Sequence, residues 1–332
     1  MLVQFQKAEE LEKETASEGR RPGSAGEVPR TESVTAATFG YLAVVVFAWG
    51  GNYTWTKLVL DDCGPWLFNA LRYGSATAIL GVLIFFRRTG APILPVPGER
   101  FAMAAIGVLQ IAIMTGASTL ALTMIEASRT VLIAYSMPIW GMLLSFVVLG
   151  ERVTAPMLAG IILGFAGLAI LCAPWVMDWT SGSALLGSGL ALGGTLAWAL
   201  ASVLYRTHRW RSDFWSQIFG QLVAAMVLLA PAAFFLERQP ITYTMTFGAV
   251  LFWNAVVPTI IAFYCWARAL DRLAVARASQ VLLMSPVFGV LLSAVVLDEV
   301  LTPALIVSGA LILLGAVLSN LPRSVAAQPA RV

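Results

Sequence analysis

The chain has 332 residues, of which 59% are hydrophobic and only 12% are charged, and its mean hydropathy is +0.82. A soluble domain carries about 25% charged residues, so this composition excludes an ordinary soluble protein and predicts an integral membrane protein. The net charge of +3 says little by itself, and we expect no nucleic-acid partner.

The chain begins with a polar segment, residues 1–36, that mixes Glu, Lys, Arg, Ser and Gly. It lacks the apolar stretch of a signal peptide. We therefore predict a disordered cytoplasmic tail. A misassigned start codon, or sequence foreign to the natural protein, is the alternative.

Ten apolar runs follow, and a run of about 20 residues suffices to span a bilayer. They are roughly 38–57, 65–86, 101–122, 127–149, 156–172, 184–205, 214–235, 247–266, 274–297 and 303–320. Lipid offers no hydrogen-bond partners, so a spanning segment must satisfy its backbone internally, as a helix does. The pattern predicts an all-α membrane protein of about ten transmembrane helices.

The positive charges lie mostly in alternate loops. With a cytoplasmic N-terminus, twelve arginines fall in inner loops and the C-terminal tail, against Lys57, Arg129 and Arg238 outside. This distribution follows the positive-inside rule. It predicts a multi-pass protein of a bacterial inner membrane with both termini in the cytoplasm, and hence an even number of spans.

The chain also repeats itself. Residues 138–154 and 286–302 share ten of 17 positions at an offset of 148, among them Pro138/Pro286 and Glu151/Glu299. A weaker match at offset 149 pairs Ala48-Trp49 with Ala197-Trp198, and Lys57 with Arg206. Five spans per copy put the second copy upside down, an arrangement typical of secondary transporters. We predict an inverted five-plus-five repeat, with copies at 37–173 and 183–320 and a cytoplasmic C-terminal tail at 321–332.

Three segments carry a resemblance to a known family: AWGGNYTWTK at 48–57, FNALRYG around Arg72, and PIWGMLLSFVVLGERVT with its copy PVFGVLLSAVVLDEVLT. The chain resembles the drug/metabolite transporter superfamily of the EamA type over about residues 38–320. The resemblance implies ten helices, an inverted repeat and transport of small metabolites, often efflux. In length and aromatic content the chain is also similar to aromatic amino-acid exporters of the YddG type.

Arg72 is the one charged residue that we place well inside a span, and such residues are costly in a membrane. It could pair with a substrate carboxylate. Alternatively it is structural, either snorkelling outward or hydrogen-bonding helix ends, and the resemblance favours this alternative. We place no Asp or Glu at comparable depth, which favours a facilitator or exchanger over a proton- or sodium-coupled carrier.

Polar and aromatic residues at mid-span could line a cavity for an amino acid or a related metabolite. Helix packing and an interfacial aromatic belt are the alternatives for each of them. The candidates are Trp49, Asn52, Tyr53, Gln110, Thr115, Ser118, Tyr135, Ser136, Trp198, Ser202, Asn254, Tyr264, Gln280 and Ser285. Pro138 and Pro286 bend corresponding helices and are candidate gate or hinge residues.

Three scattered cysteines and the single His208 predict no metal site, disulfide or cofactor. An intramembrane enzyme would need embedded acids, bases or metal ligands, so we expect no enzyme, and a channel is a distant alternative. The function predicted is export of small metabolites, aromatic amino acids first, by alternating access. Proton-coupled efflux of other drugs or metabolites is the runner-up. The expected partners are a small-molecule substrate and the bilayer, with the protein a monomer or weak homodimer.

Overall fold

The computed structural model describes residues 36–86, 93–149, 155–172, 182–270, 281–282 and 284–319, and these form helices and short connections without a strand. Six helices are long and apolar enough to cross a membrane, and three shorter apolar helices accompany them within the described residues. The predicted all-α fold of a multi-pass protein is confirmed. The C-terminal tail, Gln280 and all of the N-terminal tail except Ala36 lie outside the described residues.

Within the described residues, the first half of the chain contains eight α-helical segments. They are α1 (Ala36–Gly50), α2 (Asn52–Leu58), α3 (Pro65–Phe86), α4 (Arg100–Gly107), α5 (Met114–Leu122), α6 (Ala127–Tyr135), α7 (Met137–Leu149) and α8 (Ala155–Cys172). A short 3₁₀ turn, Pro97–Glu99, precedes α4. The second span was predicted at 65–86, the bounds that α3 has.

The described part of the second half contains six α-helical segments whose two ends both lie within it. They are α9 (Gly182–Arg206), α10 (Phe214–Leu236), α11 (Met245–Val256), α12 (Ala262–Leu270), α13 (Met284–Val296) and α14 (Pro303–Ser319). Helix starts carry their own caps: Asp213 Oδ1 accepts from the Ser216 N–H, and Thr244 Oγ1 from the Phe247 N–H. Such caps satisfy amides that have no partner within the helix.

Several predicted spans are interrupted near their middle. A turn at Gly51 separates α1 from α2, and a turn at Ser136 separates α6 from α7. Pro138 lies in the first turn of α7 and Pro286 in the first turn of α13, where a proline takes no hydrogen bond from the helix. Both prolines thus stand at the beginning of a helical segment.

Two further described spans each contain a π-helical turn. The first, Val108–Ile113, joins α4 to α5, and the second, Val257–Ile261, joins α11 to α12. Their first residues, Val108 and Val257, are 149 positions apart in the sequence, which is also the offset between Lys57 and Arg206. Such turns insert an extra residue into a helix and occur frequently at functional sites.

The helices α8 and α14 pack against each other along small residues. A Cβ atom on Gly315 would lie 2.6 Å from the Gly160 carbonyl oxygen, and one on Gly167 would lie 2.8 Å from that of Ser308. Glycine permits this backbone contact because it has no side chain. A second close crossing joins α1 to α13, where Gly289 approaches the Gly50 carbonyl oxygen in the same way. The two halves therefore meet along the interior helices as well as through α8 and α14.

Candidate functional site

A cavity of about 130 Å³ lies among α1, α2, α3, α5, α6, α9, α10, α12 and both π turns. For comparison, a cavity of about 150 Å³ holds a benzene molecule. Most of the polar residues predicted to face a substrate line this cavity. They are Trp49, Asn52, Tyr53, Arg72, Gln110, Thr115, Ser118, Tyr135 and Trp198.

Other predicted residues lie elsewhere. Tyr264 is 39% exposed and stacks on Trp215, outside the cavity. Asn254 is fully buried within its own helix, where Nδ2 donates to the Val250 carbonyl at 3.1 Å. Ser285 is buried where α13 meets Gly50. Ser136 donates to the Ile133 carbonyl at the end of α6, and Ser202 donates to the Trp198 carbonyl of its own helix.

The cavity wall includes residues that the sequence reasoning did not select. They are Thr56, Tyr73, Ile111, Met114, Thr119, Leu122, Ile218, Gln221, Leu222, Pro258, Thr259 and Phe263. Pro258 and Thr259 belong to the second π turn, and Ile111 belongs to the first. A proline in mid-span can indicate an interrupted helix that lines a cavity. The repeat does not single out Pro258, because the matching position of the first half, at offset 149, is a leucine.

Arg72 is the only charged residue among the described residues that line the cavity. It is 5% exposed, its Nε has no hydrogen-bond partner, and no acid among the described residues forms an ion pair with it. The guanidinium carbon lies 4.7 Å from the centre of the Tyr73 ring. The side chain is thus neither snorkelling nor bonded to a described helix end. A buried cation without a paired anion is costly, so an anion entering the cavity would be stabilised there.

Aromatic rings form much of the remaining wall. Trp49 donates from Nε1 to the Pro258 carbonyl at 3.0 Å, and its ring centre lies 5.4 Å from that of Phe263. This bond fixes the Trp49 ring against the second π turn. Trp198 Nε1 is buried without a partner, as is Asn52 Oδ1. The cavity wall therefore combines apolar faces with buried polar atoms that have no hydrogen-bond partner.

Glu299 connects the second half of the chain to the first near one end of the bundle. Its Oε1 accepts from the Ala127 N–H at 2.6 Å, and its Oε2 from the Ser128 N–H at 2.9 Å. Lys57 Nζ lies 3.4 Å from Oε1 and also donates to the Ile125 carbonyl. We call these four residues, Glu299, Lys57, Ala127 and Ser128, the Glu299 clamp.

The backbone and the electrostatics support this clamp. Asp298, immediately before Glu299, has φ of 52°, a left-handed conformation that Asp tolerates better than most residues. Burial alone would raise the pKa of Glu299. The hydrogen bonds from Ser128 and Ala127 and the charge of Lys57 outweigh that effect, so the pKa lies below its usual range. Glu299 is therefore ionised at neutral pH and attracted to the N-terminus of α6.

Glu99 makes a similar connection at the opposite end of the bundle. Its carboxylate accepts from the Arg211 N–H at 2.6 Å and from the Ser212 N–H at 3.1 Å, just before α10 begins. The Ser212 hydroxyl donates to it at 2.5 Å. We call Glu99, Arg211 and Ser212 the Glu99 clamp. Each clamp joins a carboxylate of one half to backbone amides of the other.

The chain is similar in sequence to known transporters. The family model described as the EamA-like transporter family matches the chain twice, over residues 38–173 and 185–321. The transporter YoaV of Bacillus subtilis strain 168, itself uncharacterized, is 26% identical over 276 residues, which cover 82% of this chain and 92% of that protein. A probable amino-acid metabolite efflux pump of Escherichia coli strain K12 is 26% identical over 290 residues, covering 83% and 92%.

A crystal structure also shares the fold. It has a TM-score of 0.61 and 23% identity, and the match covers 86% of this chain and 96% of that one. The two matches of the family model confirm the resemblance that the repeated segments indicated, and they cover both halves of the chain. The chain belongs to the EamA-like transporter family.

Proposed function

We propose that this transporter exports small metabolites, with amino acids foremost and aromatic ones favoured. One observation carries the proposal: Arg72, a buried cation without an ionic partner among the described residues, lines a cavity whose wall also includes six aromatic residues. A carboxylate can pair with the guanidinium while an apolar side chain packs on the rings. The efflux pump of E. coli, which shares 26% of the aligned residues, supports the same class of substrate. The lining residues are the proposed substrate contacts.

The proposed architecture is ten helices in an inverted five-plus-five repeat. The two family matches, the sequence offset of 148 and the paired π turns support it. In such a repeat each half can adopt the conformation of the other, which alternately opens the cavity to the two sides. Pro138 and Pro286, which begin matched helical segments, are the proposed hinges.

The two clamps fit this mechanism. The Glu299 clamp joins the two halves at one end of the bundle, and the Glu99 clamp joins them at the other. Rocking of one half against the other must therefore stretch or break one of the two clamps. The Glu299 clamp joins α2, the start of α6 and the segment between α13 and α14. If both termini are cytoplasmic, that end faces the outside of the cell. We propose that opening of this end requires release of Glu299 from the amides of Ala127 and Ser128.

The described cavity wall contains no Asp or Glu that could carry a coupling proton. This composition supports a facilitator or exchanger. Proton-coupled efflux of other drugs or metabolites is the alternative, and it would need a carboxylate outside the described lining. The proposed location is a bacterial inner membrane with both termini cytoplasmic, and the protein is proposed to act as a monomer or weak homodimer.

Purified protein in proteoliposomes tests this function. We expect saturable, carrier-dependent counterflow of aromatic amino acids, with a rate that does not change when a pH gradient is imposed. Replacing Trp49 or Trp198 by Ala should reduce the flux far more than replacing Trp175, which the sequence puts at a span end. Absence of flux for every amino acid would contradict the proposal, and strict dependence on the pH gradient would favour the proton-coupled alternative.

A further inference from the structure

We infer that the cavity recognises the carboxylate of its solute by charge and the ammonium only weakly, so that ring-bearing monocarboxylates without an amine bind the same site. This inference rests on the proposed function, because it assumes that the cavity is where the solute binds. It goes further by ranking the two charged ends of an amino acid. It also extends the substrate class to acids that are not amino acids.

Arg72 supplies the charge that would hold the carboxylate. Arg72 is 95% buried (5% exposed), lines the cavity, and has a buried Nε without a hydrogen-bond partner. Guanidinium is a planar group with five donors and matches a carboxylate in a bidentate geometry. Its contact with the Tyr73 ring, at 4.7 Å, satisfies a face of the group and leaves its N–H donors available. An entering carboxylate would both neutralise the buried charge and accept hydrogen bonds from these N–H groups.

The ammonium of an amino acid would contact neutral groups. The described lining has no Asp or Glu, so nothing there pairs with an ammonium by charge. The groups that could receive it are neutral: Asn52 Oδ1, which is buried without a partner, and the aromatic faces. A second cation beside Arg72 would also be repelled. The amine should therefore contribute much less to affinity than the carboxylate.

The rest of the solute would contact Trp198 and Trp49. Trp198 Nε1 is a second buried donor without a partner, which adds to the preference for an acceptor group. Trp49, held by its bond to Pro258, presents a fixed ring to the same cavity. An arylalkyl carboxylate combines an acceptor at one end with an apolar ring at the other, and so matches both parts of the wall.

The test is a binding panel on the full-length protein in nanodiscs, followed by calorimetry or by thermal shift. The ligands are phenylalanine, 3-phenylpropionate, 3-phenylpropionamide and phenethylamine. We expect 3-phenylpropionate to bind within about threefold of phenylalanine. It should bind about tenfold to a hundredfold more tightly than the amide or the amine, as expected for a charge-assisted hydrogen bond. Equal or tighter binding of phenethylamine, or no binding of 3-phenylpropionate, would overturn the inference.

Arg72→Gln and Arg72→Lys test the residue itself. The informative quantity is the affinity ratio of acid to amide, because a purely structural defect would weaken both ligands alike. Arg72→Gln should bring the ratio to about 1, and Arg72→Lys should retain a preference for the acid without the bidentate fit. Arg238→Gln, an exposed arginine in a connecting segment, is the matched control and should keep the wild-type ratio. An unchanged ratio in Arg72→Gln would also overturn the inference.

Two outcomes separate this inference from the proposed function. If proteoliposomes show amino-acid flux while the panel shows no preference for acids, the inference fails and the function stands. If 3-phenylpropionate binds with the expected selectivity while no amino acid is transported, the inference stands and the proposed amino-acid export fails. Should Arg72→Gln not fold, the panel on the wild-type protein alone decides the ranking.

Discussion

The two clamps differ in how the charge of their carboxylate is balanced. In the Glu299 clamp the cation is Lys57, which is 28% exposed, comes from a third segment of chain, and also binds the Ile125 carbonyl. In the Glu99 clamp it is Arg211, which is 80% exposed and belongs to the very segment whose amides Glu99 holds. Exposed ion pairs contribute little to stability, whereas partly buried networks contribute more. The two clamps therefore need not stabilise the structure equally, although their carboxylates accept similar hydrogen bonds from the backbone.

Further contacts between the halves lie at the Glu299 end. Glu237 accepts from the Trp66 N–H at the start of α3, and Gln239 donates to the Asp61 carbonyl. Thr244 donates to the Asp62 carboxylate. Among the described residues, the Glu299 end is thus joined by side chains from several connecting segments. We expect this end to be the more resistant to opening in the conformation observed.

The largest effect should come from Glu299→Gln. The variant leaves Lys57 without its carboxylate and removes one of the two acceptors for the α6 amides, at a cost of about 1–3 kcal/mol. The melting temperature in detergent should fall by several degrees. Glu99→Gln is the matched control and should lower it less, because its cation is mostly in solvent. Equal shifts in the two variants would remove the proposed difference between the clamps.

Lys57→Gln should have a smaller effect than Glu299→Gln. The amides of Ala127 and Ser128 still hold the carboxylate after the substitution, and only the lysine's charge and its bond to the Ile125 carbonyl are lost. A double-mutant cycle with Glu299→Gln, followed by melting temperature, measures the coupling between the two side chains. Strict additivity would show that the ion pair contributes nothing.

Acid should weaken the Glu299 clamp in a defined direction. The folded-state pKa of Glu299 is lowered, so its contribution to stability is fully present above the unfolded pKa of about 4.3 and is lost as the pH falls through the folded value. The difference in melting temperature between wild type and Glu299→Gln should therefore be constant near neutrality and shrink below about pH 4. A difference that grows on acidification would contradict the assignment.

The smallest effect should come from Arg129→Gln. Arg129 pairs with Glu126 one turn away at 3.5 Å, and the glutamate side chain is more than half exposed. Pairs of this kind contribute about 0.5 kcal/mol or less. The melting temperature should remain within the error of the wild type, although the residue lies in the same helical turn as the clamp. A shift comparable to that of Glu299→Gln would mean that the turn as a whole, and not the carboxylate, holds this end.

The sequence was sufficient to predict an all-α fold of membrane-spanning helices, because the length of an apolar run is itself the requirement for crossing a bilayer. The second span was placed at the residues observed, and Arg72, Trp49 and Trp198 were selected by depth alone. The direction in which each side chain faces was harder to predict. A π turn adds about one residue, or about 100° of rotation, to everything beyond it. Tyr264 follows the second π turn and points away from the cavity, while Phe263 faces it.

The clamps could not be predicted from local sequence for a different reason. The repeat showed that Glu299 has a copy at Glu151, but nothing in either segment indicates that its acceptor atoms meet amides 171 and 172 residues away. Such contacts depend on how the halves pack, which is fixed by the glycine crossings of α8 with α14 and of α1 with α13. A repeated motif identified a residue pair, and tertiary packing determined what one of its members binds.

The lone guanidinium has an electrical consequence for the transport cycle. Because no acid among the described residues pairs with Arg72, an empty cavity is positive, and a cavity filled by a monocarboxylate is neutral. Membrane voltage would then act on the step in which the vacant carrier reorients, by up to about 2.3 kcal/mol per elementary charge per 100 mV. An applied voltage should accordingly alter net efflux while leaving one-for-one exchange of monocarboxylates nearly unchanged, which counterflow measured under a potassium diffusion potential would show.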